Sequence, residues 1–356
     1  MNAEILIGER PVGPGHPPYV IAEMSGNHNG SLDRALAIVE ACAKAGADAV
    51  KLQTYTPDTM TLDSREPAFV VRDPGGPWDG RSLYELYLDA QTPWEWHEPI
   101  FKRCRELGLG SFSTPFDRTA VDFLERLGVP AYKVASFENI DLPLIRLVAR
   151  TGKPVIISTG MATFVEIGEA VDAARGAGAG GLILLKCTSV YPAPPENSNL
   201  ATIPDLRARF GTLTGISDHT LGIGAAVAAA ALGAVVIEKH VTLSRAEGGV
   251  DAAFSLEPHE LKALVEESRR AAQSVGSVTY GPGPKEKESI RFRRSLWIVR
   301  DLEAGEALDA ENVRSLRPAG GLPPKNLDTV IGRHLKKSVK RGTPLTEDLL
   351  VNDARV

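Results

Sequence analysis

Short apolar segments alternate with amphipathic segments through residues 1–276. Eight segments are rich in Val and Ile and have the length of buried strands. These predicted strands are 19–23, 49–53, 110–114, 132–136, 154–159, 182–188, 213–219 and 235–240. Between them, apolar residues recur at helical spacing with a glycine near the end, as in 32–47 and 163–179. The alternation predicts a parallel sheet, and eight repeats favour a closed (β/α)₈ TIM barrel over an open doubly wound sheet.

Two regions depart from this repeat. Residues 56–96 are rich in Gly, Pro and aromatic residues, which predicts a long loop over the barrel mouth followed by a helix. After residue 276 the Gly, Pro and charged residues of 277–289 are typical of a linker, and residues 290–356 contain short apolar runs between turns. We therefore predict an α/β protein with a barrel over 1–276 and a small, strand-rich second domain over 290–356.

Composition and charge exclude several classes of protein. The 356 residues are 43% hydrophobic and 24% charged, a globular balance that excludes collagen-like, coiled-coil and wholly disordered chains. A net charge of −5 predicts no nucleic-acid or anionic-membrane partner. The most apolar stretch, 221–237, is interrupted by glycines and is a poor membrane span. The N-terminal residues lack the pattern of a signal peptide.

The three cysteines are Cys42, Cys104 and Cys187. Their number is odd, their spacing is wide and no CxxC motif occurs, so we expect neither a disulfide framework nor a cysteine zinc site. This usage is typical of a reducing compartment, and a cytoplasmic location is expected.

Almost every predicted strand ends in side chains that can bind or transfer charge. The carboxyl ends of the strands of a (β/α)₈ barrel meet at one mouth, so these side chains are predicted to line one pocket. They are Glu23, Lys51, Gln53, Ser113, Thr114, Lys133, Ser136, Glu138, Ser158, Thr159, Lys186, Thr188, Ser217, Asp218, His219, Glu238, Lys239 and His240. Capping of the next helix would explain a single Ser or Thr, but not ionisable groups on so many strands.

His219 and His240 are the best candidates for metal ligands. Adjacent strands lie about 5 Å apart, and two imidazoles at that separation can share one ion. A histidine alone on a strand is more often packed in a core. With carboxylates and water as further ligands, the pair favours Mn²⁺, Mg²⁺ or Co²⁺ over a closed structural zinc site.

Three candidate interior lysines, Lys51, Lys133 and Lys186, would repel one another unless an anion lay among them. Phosphate and carboxylate are the ligand groups expected there, and nearby hydroxyl groups could donate hydrogen bonds to them. The hydroxyls are those of Ser136, Ser158 and Ser217. Two alternatives remain open: lysine stems that extend along the rim, and a Schiff-base lysine as in metal-free barrel aldolases.

The segment that follows the first strand, AEMSGNHNGSLDRA, contains two further candidates. Glu23 lies at the strand end, where a carboxylate could stabilise a cation or take a proton from water. His28 could equally form loop hydrogen bonds or contact a substrate. Ser31 is a candidate cap for the next helix.

Several of these segments together resemble one enzyme family. IAEMSGNHNG, GADAVKLQTYTPDT, FSTPFD, AYKVASFE, GISDHTLGIG, VVIEKHVTLSR and GGVDAAFSLEP are similar to segments of the nonulosonic acid (sialic acid) synthases. The resemblance runs from about residue 18 to the C-terminus, since 290–356 resembles the antifreeze-like (SAF) domain that ends those enzymes. WDGRSLYELY and LKCTSVYPAP are most similar to the pseudaminic acid branch. Ser189 stands where the sialic acid branch tends to have Asn.

The resemblance implies a metal-dependent condensation. Phosphoenolpyruvate and water would react with 2,4-diacetamido-2,4,6-trideoxy-L-altrose to give pseudaminic acid and phosphate by C–O cleavage. An N-acetylmannosamine-type or diacetamido-trideoxy-mannose acceptor, as in N-acetylneuraminate or legionaminic acid synthases, is the alternative. A carbohydrate- or ice-binding protein with an inactive barrel is the alternative from another class.

The resemblance also assigns roles to residues. It implies that Glu23 is catalytic and that His219 and His240 hold the ion, with Mn²⁺ the first choice. The residues implied for phosphoenolpyruvate are Lys51, Lys133, Ser136, Ser158, Ser189 and Ser217. Those implied for the sugar are Gln53, Glu138, Tyr191, Asp251 and, in the RPAGG segment, Arg317. The family arrangement implies a homodimer in which the C-terminal domain covers the partner's active site.

Overall fold

The computed structural model describes residues 4–72, 74 and 78–351 of the chain. It divides into two compact units, Met1–Gly276 and Ser277–Val356. Part of the predicted loop, at 73 and 75–77, and the end of the predicted second domain, at 352–356, lie outside the described residues.

The first unit is a closed barrel of eight parallel strands. An antiparallel hairpin of β1 (Ile5–Ile7) and β2 (Arg10–Val12) precedes it. The barrel strands are β3 (Tyr19–Glu23), β4 (Ala49–Thr54), β5 (Gly110–Pro115), β6 (Tyr132–Val134), β7 (Pro154–Ser158), β8 (Gly181–Cys187), β9 (Leu213–Asp218) and β10 (Val236–His240). They pair in sequence order, and β10 closes the ring by pairing with β3. The predicted TIM barrel is confirmed.

Helices connect the strands and cover the barrel. They are α1 (Leu32–Ala45), α2 (Pro57–Met60), α3 (Leu83–Ala90), α4 (Trp94–Glu106), α5 (Arg118–Arg126), α6 (Leu142–Ala149), α7 (Phe164–Gly176), α8 (Thr202–Phe210), α9 (Gly224–Ala231) and α10 (Pro258–Val275). The ends of α1 show why they form where they do. Ser31 accepts a hydrogen bond from the N–H of Arg34, and Gly46 ends the helix with a φ of 82°, which favours glycine.

The long segment after β4 is more ordered than a simple loop. It contains α2, a 3₁₀ turn at Pro67–Phe69 and α3 before α4 begins. A reciprocal capping box starts α3: Ser82 Oγ accepts from the Glu85 N–H at 3.2 Å, and the Glu85 carboxylate accepts from the Ser82 N–H at 3.3 Å. The Ser-x-x-Glu spacing was therefore a local helix signal within this segment.

The N-terminal hairpin contributes to the barrel core. Ile5, Ile7 and Val12 are buried in the same apolar cluster as the barrel strands. Ile5 lies against the backbone at the start of β8, where a Cβ on Gly181 would be 2.7 Å from it. The alternation of strands and helices gave no sign of this hairpin, because its strands are only three residues long.

The second unit has its own small core and less strand than the sequence predicted. Within 277–351, β11 (Ser295–Ile298) and β12 (Val313–Leu316) form one antiparallel pair, and α11 (Leu327–Val330) is the one short α-helix. Isolated bridges such as Leu302 to Val339 replace longer strands. Its buried core is Leu296, Ile298, Leu302, Leu308, Val313, Val330, Leu335, Val339, Leu345, Leu349 and Leu350. Turns interrupt each apolar run, so hydrophobic residues are buried without continuous pairing.

Among the helices of the described residues, none combines the length and the apolar character that a membrane span needs.

Asp48 joins three elements at the amino end of the barrel. Its side chain is 2% exposed and accepts a hydrogen bond from the Val20 N–H at 2.7 Å. It also pairs with Arg10 of β2 at 2.5 Å and with Arg269 of α10 at 3.2 Å. One carboxylate therefore links the hairpin, the first barrel strand and the last helix of the unit.

We expect Asp48→Ala to lower the free energy of unfolding by about 3 kcal/mol, because it leaves a buried N–H and two arginines without their partner. Urea denaturation measures the loss. Glu40→Gln is the control, since it breaks an exposed pair with Arg103 and should cost less than about 1 kcal/mol. Equal losses in the two variants would contradict a special role for Asp48.

Candidate active site

The barrel mouth collects the predicted site residues. All of them except Arg317 lie in the barrel strands near their carboxyl ends or in the loops that follow. Arg317 follows β12 in the second unit, where it is exposed. The placement of the others results from the parallel barrel, which directs every strand end to the same side.

Two lysines and two carboxylates form a buried charge cluster in the mouth. Lys51 forms an ion pair with Glu23, and its Nζ also donates to Thr114 Oγ1 at 2.9 Å. Glu238 lies between the lysines, 3.8 Å from Lys51 Nζ and 3.7 Å from Lys133 Nζ. All four charged side chains are at most 5% exposed. The opposite charges offset much of the cost of removing each group from water.

This cluster alters the proton affinities of its members. Burial raises the pKa of Glu23, and Lys51 only partly opposes that shift. Burial also favours the protonated form of Glu238, but Lys133 and Lys51 outweigh it and lower the pKa of that carboxyl. Burial lowers the pKa of Lys133. Two carboxylates with pKa values shifted in opposite directions are suited to different roles, and Glu23 is the better proton acceptor.

Serine hydroxyls and one glycine form a cradle beside the lysines. Ser136 Oγ accepts a hydrogen bond from the Gly160 N–H at 3.2 Å. A Cβ on Gly160 would lie 2.6 Å from Ser136 Oγ and closer still to Ser189 Oγ. Ser158 Oγ is buried without a hydrogen-bond partner among the residues that the structure describes. Buried hydroxyls are normally satisfied, so this one is available to a bound ligand.

The two histidines lie together, with ring centroids 5.4 Å apart. His219 Nδ1 is 3.0 Å from the Thr188 carbonyl oxygen, an arrangement that protonates Nδ1 and leaves the lone pair of Nε2 free. Within residues 4–72, 74 and 78–351, His240 Nδ1 is buried and has no hydrogen-bond partner, and it lies 3.5 Å from Asp251 Oδ2. Burial holds the pKa of His240 well below its usual value, so its imidazole is neutral, as a metal ligand must be.

The histidine pair fits an open metal site better than a closed one. Within the described ranges, no three or more His, Cys, Asp or Glu side chains are grouped so as to hold an ion. An ion held by two imidazoles, one of them through the unpartnered His240 Nδ1, would keep further coordination positions for substrate or water, as catalytic metal sites do. Metal binding at His219 and His240 therefore stays a prediction that the side chains fit.

Two of the residues predicted for the sugar, Tyr191 and Asp251, lie beside the histidines. The Tyr191 ring lies 4.5 Å from the His219 ring, 5.3 Å from that of Phe254 and 5.7 Å from that of Trp78. These aromatic residues form a wall beside the imidazoles. Phe254 and Trp78 were not predicted as part of the site, because neither is at a strand end and a lone aromatic residue is normally core.

Polar groups complete this side of the mouth. Gln53 Nε2 donates to Glu23 Oε1 at 3.3 Å and to Ser25 Oγ at 3.2 Å, and Ser25 Oγ in turn donates to Asp251. Burial raises the pKa of Glu138 to about 7, and no hydrogen-bond partner of its Oε2 occurs in the described part of the chain. The structure thus places donors and acceptors next to the aromatic wall.

Three other strand-end residues do not face the mouth. Cys187 Sγ lies 3.8 Å from His219 Nδ1 and so faces the mouth, which turns the preceding Lys186 away from the charge cluster, and Lys186 Nζ donates to the Cys187 carbonyl at 2.8 Å. Asp218 and Lys239 form a buried ion pair at 2.8 Å. Successive side chains of a strand point to opposite faces. Because His219 and His240 face the mouth, the preceding residues Asp218 and Lys239 point to the outer face of the barrel wall.

The structure also decides the role of His28. Its ring is fully buried, accepts from the Gly30 N–H at 3.1 Å and lies edge-on to Trp96. Burial lowers its pKa to about 4. These contacts favour the loop hydrogen-bonding interpretation over substrate contact.

Glu238, Thr114 and Gly160 belong to the site although no role was assigned to them from the sequence. A signal was present for Glu238, since it lies two residues before His240 and therefore on the same face of the strand. No such signal existed for Gly160, because only the approach of two serines from other strands makes it part of the cradle.

Comparison with known proteins supports the resemblance found in the sequence. Residues 38–280 match the NeuB family, and residues 293–351 match the SAF domain. The chain is 43% identical to a pseudaminic acid synthase of Helicobacter pylori over 93% of this chain and 97% of that protein. It is also 43% identical to a pseudaminic acid synthase of Campylobacter jejuni over 92% of this chain and 95% of that protein.

A solved structure agrees with these matches. The N-acetylneuraminic acid (sialic acid) synthetase of Leptospira borgpetersenii, in complex with citrate, superposes with a TM-score of 0.72 at 32% identity. The match covers 81% of this chain and 95% of that one. The chain therefore belongs to the NeuB family and carries a SAF domain at its C-terminal end.

Proposed function

We propose that this protein is a pseudaminic acid synthase. It condenses phosphoenolpyruvate with 2,4-diacetamido-2,4,6-trideoxy-L-altrose and water to give pseudaminic acid and phosphate. The 43% identity to two proteins of that name over more than nine-tenths of the chain carries this proposal. The barrel mouth supports it, because it combines a buried cationic cluster with unpartnered polar groups and a histidine pair.

The cationic side of the mouth suits phosphoenolpyruvate. Lys51 and Lys133 would bind its carboxylate and phosphate as point charges. The unpartnered Ser158 hydroxyl and the Ser136–Ser189 cradle would donate hydrogen bonds to the same oxygens. Ser217, which donates to Glu238 at 3.1 Å, would complete the set. Glu238 lies within 3.8 Å of the Nζ atoms of both lysines and so keeps the two of them together in the mouth.

Bond formation and cleavage then follow from the chemistry of the two substrates. Carbon 3 of phosphoenolpyruvate attacks the aldehyde carbon and forms the new C–C bond, which leaves an oxocarbenium ion at carbon 2 and an alkoxide at the former aldehyde oxygen. Water adds to carbon 2 and gives up a proton, for which Glu23 is the acceptor in this proposal and from which the alkoxide is protonated. The bond between carbon 2 and the bridging oxygen then breaks, the new hydroxyl at carbon 2 loses its proton and becomes the keto oxygen, and inorganic phosphate leaves with the bridging oxygen.

The proposal places a divalent ion at His219 and His240, with Mn²⁺ first and Mg²⁺ or Co²⁺ as alternatives. Such an ion, when bound, polarises the aldehyde oxygen as a Lewis acid. The Thr188 carbonyl orients His219 for this role, and the unpartnered His240 Nδ1 supports it.

The acceptor sugar is assigned to the aromatic side of the mouth. Tyr191 would pack against it, and Gln53, Glu138 and Asp251 would hold its hydroxyl and amide groups. The proposal includes a homodimer in which the exposed Arg317 of the C-terminal domain serves the partner's active site.

Turnover of three acceptors, compared side by side, tests the acceptor. We expect the diacetamido-trideoxy-altrose to give the highest kcat/KM, above the diacetamido-trideoxy-mannose and N-acetylmannosamine. Phosphate release is the measurement, and phosphoenolpyruvate labelled with ¹⁸O at the bridging position should transfer its label to phosphate. A preference for N-acetylmannosamine would contradict the proposed branch, and unlabelled phosphate would contradict C–O cleavage.

Metal removal tests the role of the histidines. We expect EDTA to abolish turnover and Mn²⁺ to restore it, whereas His219→Ala should stay inactive after Mn²⁺ addition. Full activity in EDTA would contradict metal dependence. Borohydride trapping of substrate on a lysine would favour the Schiff-base aldolase alternative instead.

Gly160→Ala tests the serine cradle. The added methyl group would displace the hydroxyls of Ser136 and Ser189, so we expect KM for phosphoenolpyruvate to rise about tenfold with little change in stability. Gly176→Ala in α7 is the matched control, because no atom lies within 4 Å of its new Cβ. The same KM in both variants would show that the cradle does not bind phosphoenolpyruvate.

A further inference from the structure

A second pair of side chains joins the strand ends that carry His219 and His240. Lys239 Nζ donates to Asp218 Oδ2 at 2.8 Å, and it also donates to the Thr220 carbonyl oxygen. The side chains of Asp218 and Lys239 are 1% and 0% exposed. Each of these two residues immediately precedes one of the predicted metal ligands.

We propose that the Asp218–Lys239 ion pair positions the two histidines for metal binding. Both residues are positioning residues, because the alternation of side chains places them on the opposite face of the strands from the imidazoles. The inference rests on the proposed metal site at His219 and His240. It adds the groups that hold those ligands at the spacing an ion needs.

The register of the two strands links the ion pair directly to the distance between the two histidines. Lys239 of β10 lies opposite Asp218 of β9 in the parallel ladder. The residue that follows each of them in the chain is a histidine, so a bond between Asp218 and Lys239 sets how far apart the backbones of the two histidines are. A slip or a twist of either strand end would break the bond and change the 5.4 Å separation of the rings.

The same lysine also restrains the backbone on both sides of His219. It binds Asp218, which precedes that histidine, and the carbonyl of Thr220, which follows it. Asp218 Oδ1 in turn accepts from the Thr220 N–H at 2.9 Å. His219 is therefore the middle residue of a segment closed by three hydrogen bonds, and its side chain has little freedom to leave the mouth.

Stability alone does not account for an ion pair at this position. Buried ion pairs can often be replaced by apolar residues of similar volume without loss of stability, because the charges must be removed from water. On the face of β10 that carries Lys239, Ile237 is fully buried. The charged pair adds geometric specificity, because its hydrogen bonds form only when the two strand ends have one register and one relative orientation.

Titration of the metal-free protein with Mn²⁺, followed by calorimetry or by the EPR signal of free Mn²⁺, tests the proposal. We expect Lys239→Met and Asp218→Asn each to weaken Mn²⁺ affinity on the order of 10- to 100-fold, as the loss of groups that orient ligands does. Asp218→Asn retains the shape and an acceptor for Thr220, so it offers a folded variant if Lys239→Met is unstable.

Two controls separate positioning from stability. Asp48→Ala removes a buried carboxylate at the opposite end of the barrel, so it should lower the melting temperature but leave Mn²⁺ affinity unchanged. The double variant Lys239→Met with Asp218→Leu removes both charges. It should recover much of the stability lost in Lys239→Met but none of the affinity.

The outcomes distinguish this proposal from the metal site on which it rests. Unchanged affinity in Lys239→Met and Asp218→Asn, together with lost binding in His219→Ala, would overturn the positioning role alone. Equal weakening by Asp48→Ala, or recovered affinity in the double variant, would overturn it as well. If His219→Ala binds Mn²⁺ as tightly as the unaltered protein, the metal site is wrong and the positioning role falls with it.

Discussion

Side chains alternate between the two faces of each parallel strand, and at the carboxyl ends of the barrel strands this alternation decides which polar side chains meet in the mouth. On β10 it turns Glu238 and His240 inward and Lys239 outward, and at the end of β9 it turns Asp218 outward and the following His219 inward. The inward groups make the candidate site and the outward pair ties the same strand ends together from behind. One geometric rule thus produces both the chemistry of the mouth and the support for it.

Charge inside the mouth is balanced between different strands, including strands that are not adjacent in the barrel, and not within any one of them. Lys51 and Lys133 come from β4 and β6, whereas the carboxylates that neutralise them come from β3 and β10. Removing one partner of an ion pair this deeply buried destabilises a protein, because the remaining charge is left buried and unpaired. The two lysines, together with the serine hydroxyls beside them, give a protein with a net charge of −5 a local set of groups that can bind an anion. Ser158 and His240, which keep unpartnered polar atoms, supply the remaining capacity for a ligand.

Much of the barrel could be predicted from the chain, but particular elements could not. The strand at 19–23 was predicted with its observed bounds, since continuous apolar runs between turns are typical of a sheet buried on both faces. The hairpin of β1 and β2 was missed because three-residue strands carry too little pattern. In the second unit, turns interrupt the apolar runs, so strand was overestimated. Lys186 was wrongly grouped with the other lysines, because its direction depends on the register of β8.

The sequence by itself determined the order of strands and helices, the family and the chemical types of group at the strand ends. Those properties are local or follow from motifs, so they can be recognised without knowing which segments touch. Only the tertiary structure decided that Glu238 lies between two lysines and that serines from two strands enclose Gly160. It also turned Asp218 and Lys239 away from the mouth. These relations join residues far apart in the chain, and they depend on barrel closure and register, which no single segment encodes.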